Sequence, residues 1–173
     1  MEGLKTVLEL MAVSARTAPK SRGEDCISIK IIEGEDVKKL ADAMYDYAEE
    51  SGNKGFERDG KNVEDSPYAM LIGIKDARHT GLNCGACGSA TCSEHDSVSK
   101  FDGEYKGPQC AFRLVDLGIA LGSAVKTASM LNVDNRIIYR MGVAARRAGI
   151  VDWDVIMGIP LSATGKNIYF DRK

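Results

Sequence analysis

The sequence predicts a mixed α+β fold built as one domain over residues 1–173. Three observations carry that reading. Several stretches place apolar residues at the helical period, and short runs rich in β-branched residues sit between Gly-, Pro- and charge-rich segments. The helices fall before, between and after those runs, without the regular strand–helix–strand alternation of a parallel sheet.

Leu4, Val7, Leu8 and Met11 recur at i, i+3, i+4 and i+7, so residues 1–15 read as a helix that ends before Pro19. Residues 26–32 alternate apolar and polar side chains and read as a strand. Val37, Leu40, Ala41, Met44, Tyr45 and Ala48 trace three helical turns behind Glu35 and Asp36, which suit a helix start. The Gly-, Asn- and charge-rich stretch 51–66 reads as a surface loop, and the apolar run 68–74 as a buried strand.

From 110 to 130 the residues are nearly all apolar or small, the pattern of a buried helix. Gly118 and Gly122, one turn apart, are expected to admit another backbone. A last helix is expected to begin at Asp134 or Asn135 and stop at Gly149. Ile137, Ile138, Met141, Ala145 and Ala148 fall on one side of it, and Arg136, Arg140, Arg146 and Arg147 elsewhere read as a solvated face rather than a dock for an acidic electron-transfer partner. Residues 153–161 read as a core strand interrupted by Gly158 and Pro160, and 168–170 as a short edge strand.

A formal charge of −2 and 44% hydrophobic residues argue against nucleic acid or acidic membranes as partners. No apolar run approaches the ~20 residues of a membrane-spanning helix. Glu2 and Glu9 interrupt what a secretory signal would need, so the first helix is read as part of the mature protein. Five cysteines is an odd number, and four of them cluster between 84 and 110. A disulfide framework would spread its bridges, so the clustering points to metal binding in a reducing compartment, and the cytoplasm is the expected location.

Cys84, Cys87, Cys92 and Cys110 form the pattern C-x2-C-x4-C-x17-C within a segment bounded at 78–112. A cubane cluster needs four converging thiolates, commonly three from one tight loop and a fourth from elsewhere, and this spacing supplies that division. The spacers are mostly Gly, Ala, Ser and Thr, which let the backbone curl closely and direct N–H groups at a cluster. Zinc also accepts four cysteines, usually as two separated C-x2-C pairs; only one such pair occurs here. A zinc-stabilised interaction module therefore stays as an alternative.

The run Cys84-Gly85-Ala86-Cys87-Gly88, then Cys92 and Cys110, resembles the four-cysteine 4Fe-4S domain of electron-transport iron–sulfur subunits and acetyl-CoA-pathway corrinoid proteins. The whole chain is similar to a ferredoxin-domain family of unknown function from archaea and anaerobic bacteria. That resemblance implies a 4Fe-4S cluster and no particular reaction.

The flanks resemble nitroreductase-like flavoproteins. The segment Ala15-Arg16-Thr17-Ala18-Pro19-Lys20-Ser21-Arg22 stands where that family carries a short FMN-contacting stretch, although the usual second Arg beside Arg16 is absent. The long helix from Asp116, the helix after it, and Val155-Ile156-Met157-Gly158-Ile159-Pro160 with a later Lys166 are similar to its closing elements. The resemblance implies a mixed sheet flanked by helices into which a cluster loop is inserted. It further implies FMN as a second cofactor held by Arg16, Lys20, Arg22 and Lys166, and a homodimer binding flavin between its subunits.

Cys26 is expected to be a small buried side chain, His79 a surface residue, and His95 at most a tuning residue beside four sufficient thiolates. No GxGxxG, P-loop, serine-nucleophile elbow or zinc-hydrolase motif occurs, and no catalytic residue is assigned. The functional expectation is a 4Fe-4S redox protein, as an FMN-linked oxidoreductase if it is an enzyme. Its partner would be a redox protein or a small-molecule electron acceptor. The alternative is a cluster-only electron carrier or a subunit of a larger redox complex.

Overall fold

A computed structural model describes residues 2–170. Met1, the first residue of the expected helix, lies outside the described residues, as do residues 171–173 of the expected domain. Helix α1 (Glu2–Thr17) leads through a short 3-10 turn at Ser21–Gly23 to strand β1 (Ile27–Glu33). Helices α2 (Glu35–Ser51) and α3 (Lys54–Glu64) follow, then β2 (Tyr68–Ile74). A long excursion contains helix α4 (Cys92–Ser97) and the small hairpin β3 (Phe101–Asp102) and β4 (Lys106–Gly107). Helix α5 (Ala111–Met130), strand β5 (Asp134–Asn135), helix α6 (Tyr139–Arg147) and strand β6 (Val155–Ser162) complete the chain.

The main sheet has the order β1-β2-β6-β5, and every pairing within it is antiparallel, where the flavoprotein resemblance implied a mixed sheet. Strand β2 sits inside and feeds both faces, because side chains alternate along a strand. Met70, Ile72 and Ile74 pack into a core with Leu8 and Met11 of α1 and Leu117, Ala120 and Ala124 of α5. Ala69 and Leu71 point the other way, into a second core with Leu40 and Met44 of α2, Val63 of α3 and Met141 and Ala144 of α6. The result is three layers, α1/α5, sheet and α2/α3/α6, which is why β2 reads as a continuous apolar run rather than an alternating one.

Four sequence expectations are corrected. The 51–66 stretch is mostly helix α3, started by Asn53, whose side chain accepts the Gly55 N–H. Only Phe56 and Val63 mark its apolar face, and the glycines there serve close approach: a Cβ on Gly60 would press on Met44 and Tyr45. The last helix begins at Tyr139 rather than 134–135, because Asp134 and Asn135 pair with β6 and Ile138 exchanges backbone hydrogen bonds with Gly158. Residues 168–170 form a turn rather than an edge strand, with the Asn167 side chain accepting the N–H groups of Tyr169 and Phe170. The arginines of 136–147 are not a solvated face: Arg140 binds buried Asp59 at 2.9 Å, Arg146 binds Asp102 and the Trp153 carbonyl, Arg147 binds Glu50, and Arg136 lies over Phe170.

Gly118 and Gly122 are exposed on α5, and no described residue comes within 4 Å of the place where a Cβ would stand. No helix among the described residues is long and apolar enough to cross a membrane.

Candidate metal centre

The segment between β2 and α5 is tied at its base to β6. Asp154, 4% exposed, accepts hydrogen bonds from the Gln109 amide at 2.9 Å, Lys100 Nζ at 3.2 Å and the Asp76 N–H at 3.2 Å. One carboxylate thus gathers the start, middle and end of the excursion. Burial alone would push its carboxyl up, but the Gln109 and Lys100 donors outweigh that and hold it below the ordinary range.

Arg113, in the first turn of α5, is 1% exposed. It donates to the carbonyls of Arg78 at 2.8 Å, Ser21 at 3.3 Å and Glu24 at 3.4 Å, to Asp116 at 3.2 Å, and to the Glu24 carboxylate. Asp116, equally buried, also accepts the N–H and hydroxyl of Ser21. A charge pair this deep is tolerable only when hydrogen-bonded on all sides, as this one is.

These anchors set the position of Cys110, the residue capping α5. Its burial would raise the thiol, yet the N–H groups of Thr80, Arg113 and Phe112 prevail and hold it below its ordinary value, as expected at a helix start.

The other three cysteines lie on a backbone that curls through left-handed conformations at Gly81, Asn83, Gly85 and Gly88. Gly88, with φ of 90°, adopts a conformation closed to most side chains, and its N–H closes a turn onto the Gly85 carbonyl around Cys87. Asn83 tolerates its left-handed geometry and exchanges two hydrogen bonds with Cys92, donating its N–H to the sulfur at 3.4 Å and accepting the Cys92 N–H at 2.8 Å. Cys92 opens α4, which is started by a reciprocal Thr91–Glu94 capping box.

Cys84, Cys87, Cys92 and Cys110 all line one cavity, together with His79 and His95. Exposure falls across the set: Cys84 is exposed, Cys87 and Cys92 are half-buried, and Cys110 is buried. Among the described residues, no three His, Cys, Asp or Glu side chains stand close enough to grip a single ion. Cys26 lies apart, on the approach to β1, with its thiol raised by burial.

The flavin candidates divide. Arg16 binds Asp25 at 2.5 Å and the Ile27 carbonyl at 2.7 Å. Lys20 is folded onto the carbonyls of Ala15 and Arg16, and Arg22 reaches the Thr80 carbonyl at 3.2 Å, beside the cysteine loop. All three lie at the end of the sheet where Ile27 pairs with Ile74 and Ile74 with Val155. Lys166 follows Ser162, beyond the opposite end, where Glu33 pairs with Tyr68 and Tyr68 with Leu161. Seven paired positions separate the two ends, roughly 20 Å at the usual rise. One chain therefore does not gather the four basic residues at one phosphate.

Sequence reading passed over Asn83, Asp154 and the helical setting of His95. The capping box Thr91-x-x-Glu94 was the available signal for α4, and it puts His95 one turn after Cys92.

Residues 106–172 match the family model described as "uncharacterized protein containing a ferredoxin domain". A protein of Archaeoglobus fulgidus is 52% identical over 171 residues, covering 99% of this chain and 92% of its own length. The chain belongs to this ferredoxin-domain family. Solved structures relate the family member's fold to nitroreductases. The FMN-dependent nitroreductase NfnB from Mycobacterium smegmatis, solved in complex with NADPH, superposes with a TM-score of 0.59 at 12% identity, covering 97% of this chain and 82% of the other. A Desulfitobacterium hafniense nitroreductase with bound FMN gives 0.57 at 13% identity, covering 93% and 78%. Nitroreductase A from Vibrio parahaemolyticus gives 0.56 at 18% identity, covering 94% of this chain and 59% of that enzyme, so the chain spans well under two thirds of its length. At these identities the likeness is one of fold.

Proposed function

We propose that this protein is a redox protein holding one 4Fe-4S cluster on Cys84, Cys87, Cys92 and Cys110 within segment 78–112. The carrying observation is the single cavity that all four thiols line. The donor chemistry suits the group: four thiols lining one cavity are the donor set of a cubane, and the sequence offers one C-x2-C pair where a structural zinc site usually takes two. When bound, such a cluster supplies one-electron chemistry.

The residues around it divide the remaining work. The N–H groups at Cys110 favour its thiolate form, and the Asn83 N–H donates to the Cys92 sulfur. The Asp154 and Arg113 anchors fix the inner ligand against the core. Cys84 at the exposed rim gives a partner protein or a small-molecule acceptor close approach. Anaerobically purified protein is expected to contain about four iron and four sulfide per chain, with broad visible absorbance bleached by dithionite. Stoichiometric zinc without sulfide would overturn the proposal.

A second reading adds FMN, favoured by the fold it shares with the FMN-bound nitroreductase. With Lys166 at the far end of the sheet from Arg16, Lys20 and Arg22, a flavin phosphate site using both needs two subunits. Leu114, Val115, Gly118, Ile119 and Gly122 leave one face of α5 exposed and open to such a copy. This reading predicts a dimer by light scattering and FMN released by acid; a monomer with iron and no flavin leaves the cluster-only carrier.

A further inference from the structure

His95 stands out among the residues around the cysteine cavity because its hydrogen bonding is incomplete. The other histidine there is fully occupied: His79 Nδ1 accepts the Gly81 N–H at 3.0 Å, and its Nε2 faces Asp96 at 3.2 Å. His95 is 8% exposed, and its Nδ1 is buried with no hydrogen-bond partner among the described residues. Buried ring nitrogens are costly to leave unpaired, so such an atom in a native fold calls for a partner supplied from elsewhere.

Two placements identify that partner. His95 follows Cys92 by three residues on α4, so the two side chains lie on the same side of the helix. His95 also lines the cavity that holds the four thiols. Sulfur in an anionic cluster accepts hydrogen bonds, and such bonds stabilise the more negative, reduced state.

We propose that His95 donates an Nδ1–H hydrogen bond to sulfur of the bound cluster and biases it toward reduction. The proposal rests on the 4Fe-4S reading above. It assigns His95 as a donor to the cluster rather than as a fifth ligand, and it requires the tautomer with hydrogen on Nδ1.

The test compares the full-length wild type with His95→Leu and His95→Asn. Asn sets an amide nitrogen close to where Nδ1 stands, and Leu fills similar space with no donor. Iron and sulfide per chain are measured first; wild type without them overturns the cluster reading itself, before any variant is considered. In a redox titration followed by electron paramagnetic resonance, H95L is expected to shift the one-electron equilibrium at least tenfold toward the oxidised form. That is about 59 mV more negative. H95N is expected to stay within threefold of wild type. An H95L potential within threefold of wild type overturns the proposal, as does an H95N potential displaced as far as that of H95L, which would mark a packing effect.

Electron–nuclear double resonance of the reduced wild type, exchanged into deuterium oxide, gives an independent readout should H95L fail to load iron. An exchangeable proton coupled to the cluster and altered in H95N is expected. Its absence in wild type, or the strong nitrogen coupling of a directly bonded imidazole, overturns the donor role.

Discussion

Gln109 donates its side-chain amide to Asp154 at 2.9 Å, so the residue immediately before Cys110 is tied to the start of β6. The same carboxylate takes Lys100 and the Asp76 N–H, which makes it the knot that closes the cysteine-bearing excursion. Asp154→Asn keeps the size but loses the charge, and is expected to destabilise the metal-free protein by about 1–3 kcal/mol at neutral pH. The pH dependence has a definite sign. A carboxyl held below its ordinary 3.8 contributes its full stabilisation above that pH and loses it as pH falls through the lower native value. Urea unfolding of the metal-free protein from neutral to about pH 2 should show that loss in wild type and a smaller one in D154N.

The cysteines are expected to separate cleanly. Cys84→Ser, Cys87→Ser, Cys92→Ser and Cys110→Ser should each reduce retained iron after anaerobic desalting by about tenfold or more, because each removes one corner ligand. Cys26→Ser should leave iron content unchanged, since Cys26 lies outside the cavity. Equal iron loss in C26S would place the ligand set wrongly.

Arg113 links the loop, the 21–24 segment and α5 through one buried guanidinium. Arg113→Met leaves Asp116 buried without its charge partner and is expected to cost about 3–5 kcal/mol in urea unfolding. Arg113→Lys should recover only part of this, because an ammonium cannot reach the carbonyls of Arg78, Ser21 and Glu24 together.

Two helical glycines should respond in opposite directions. A Cβ on Gly142 would collide with the Ile156 carbonyl, so Gly142→Ala should destabilise the fold by about 1–3 kcal/mol or more. No described residue stands near Gly118, and Gly118→Ala should stabilise the single chain by about 1 kcal/mol through helix propensity. Thermal melts of the two variants against wild type decide both.

Much of this was readable in the sequence, and the failures have physical reasons. Strand β2 was legible to the residue because a strand covered on both faces is apolar throughout. The gathering of Cys84, Cys87 and Cys92 at one cavity was legible because they stand on one short loop rich in small residues. Helix α3 was not, since its inward face is built from Phe56, Asp59, Gly60 and Val63, and two of those four are residues that usually mark loops. The Arg113–Asp116 pair escaped notice because nothing local distinguishes a buried ion pair from an exposed i, i+3 pair on the same helix. Lys166 was grouped with Arg16 through the flavoprotein resemblance, and only the strand register reveals that they belong to opposite ends of the sheet.

The tying of the cysteine excursion at Asp154 and Arg113 bears on when metal has to arrive. Both anchors are made entirely by protein groups, and among the described residues neither apolar core includes Cys84, Cys87, Cys92 or Cys110. On the proposed cluster reading, folding and metallation are then separable events: the scaffold closes on its own contacts, and iron and sulfide would bear only on the short stretch between Gly81 and Cys92 and on Cys110. Oxidative loss of the cluster should then leave a folded, refillable chain instead of an unfolded one committed to degradation.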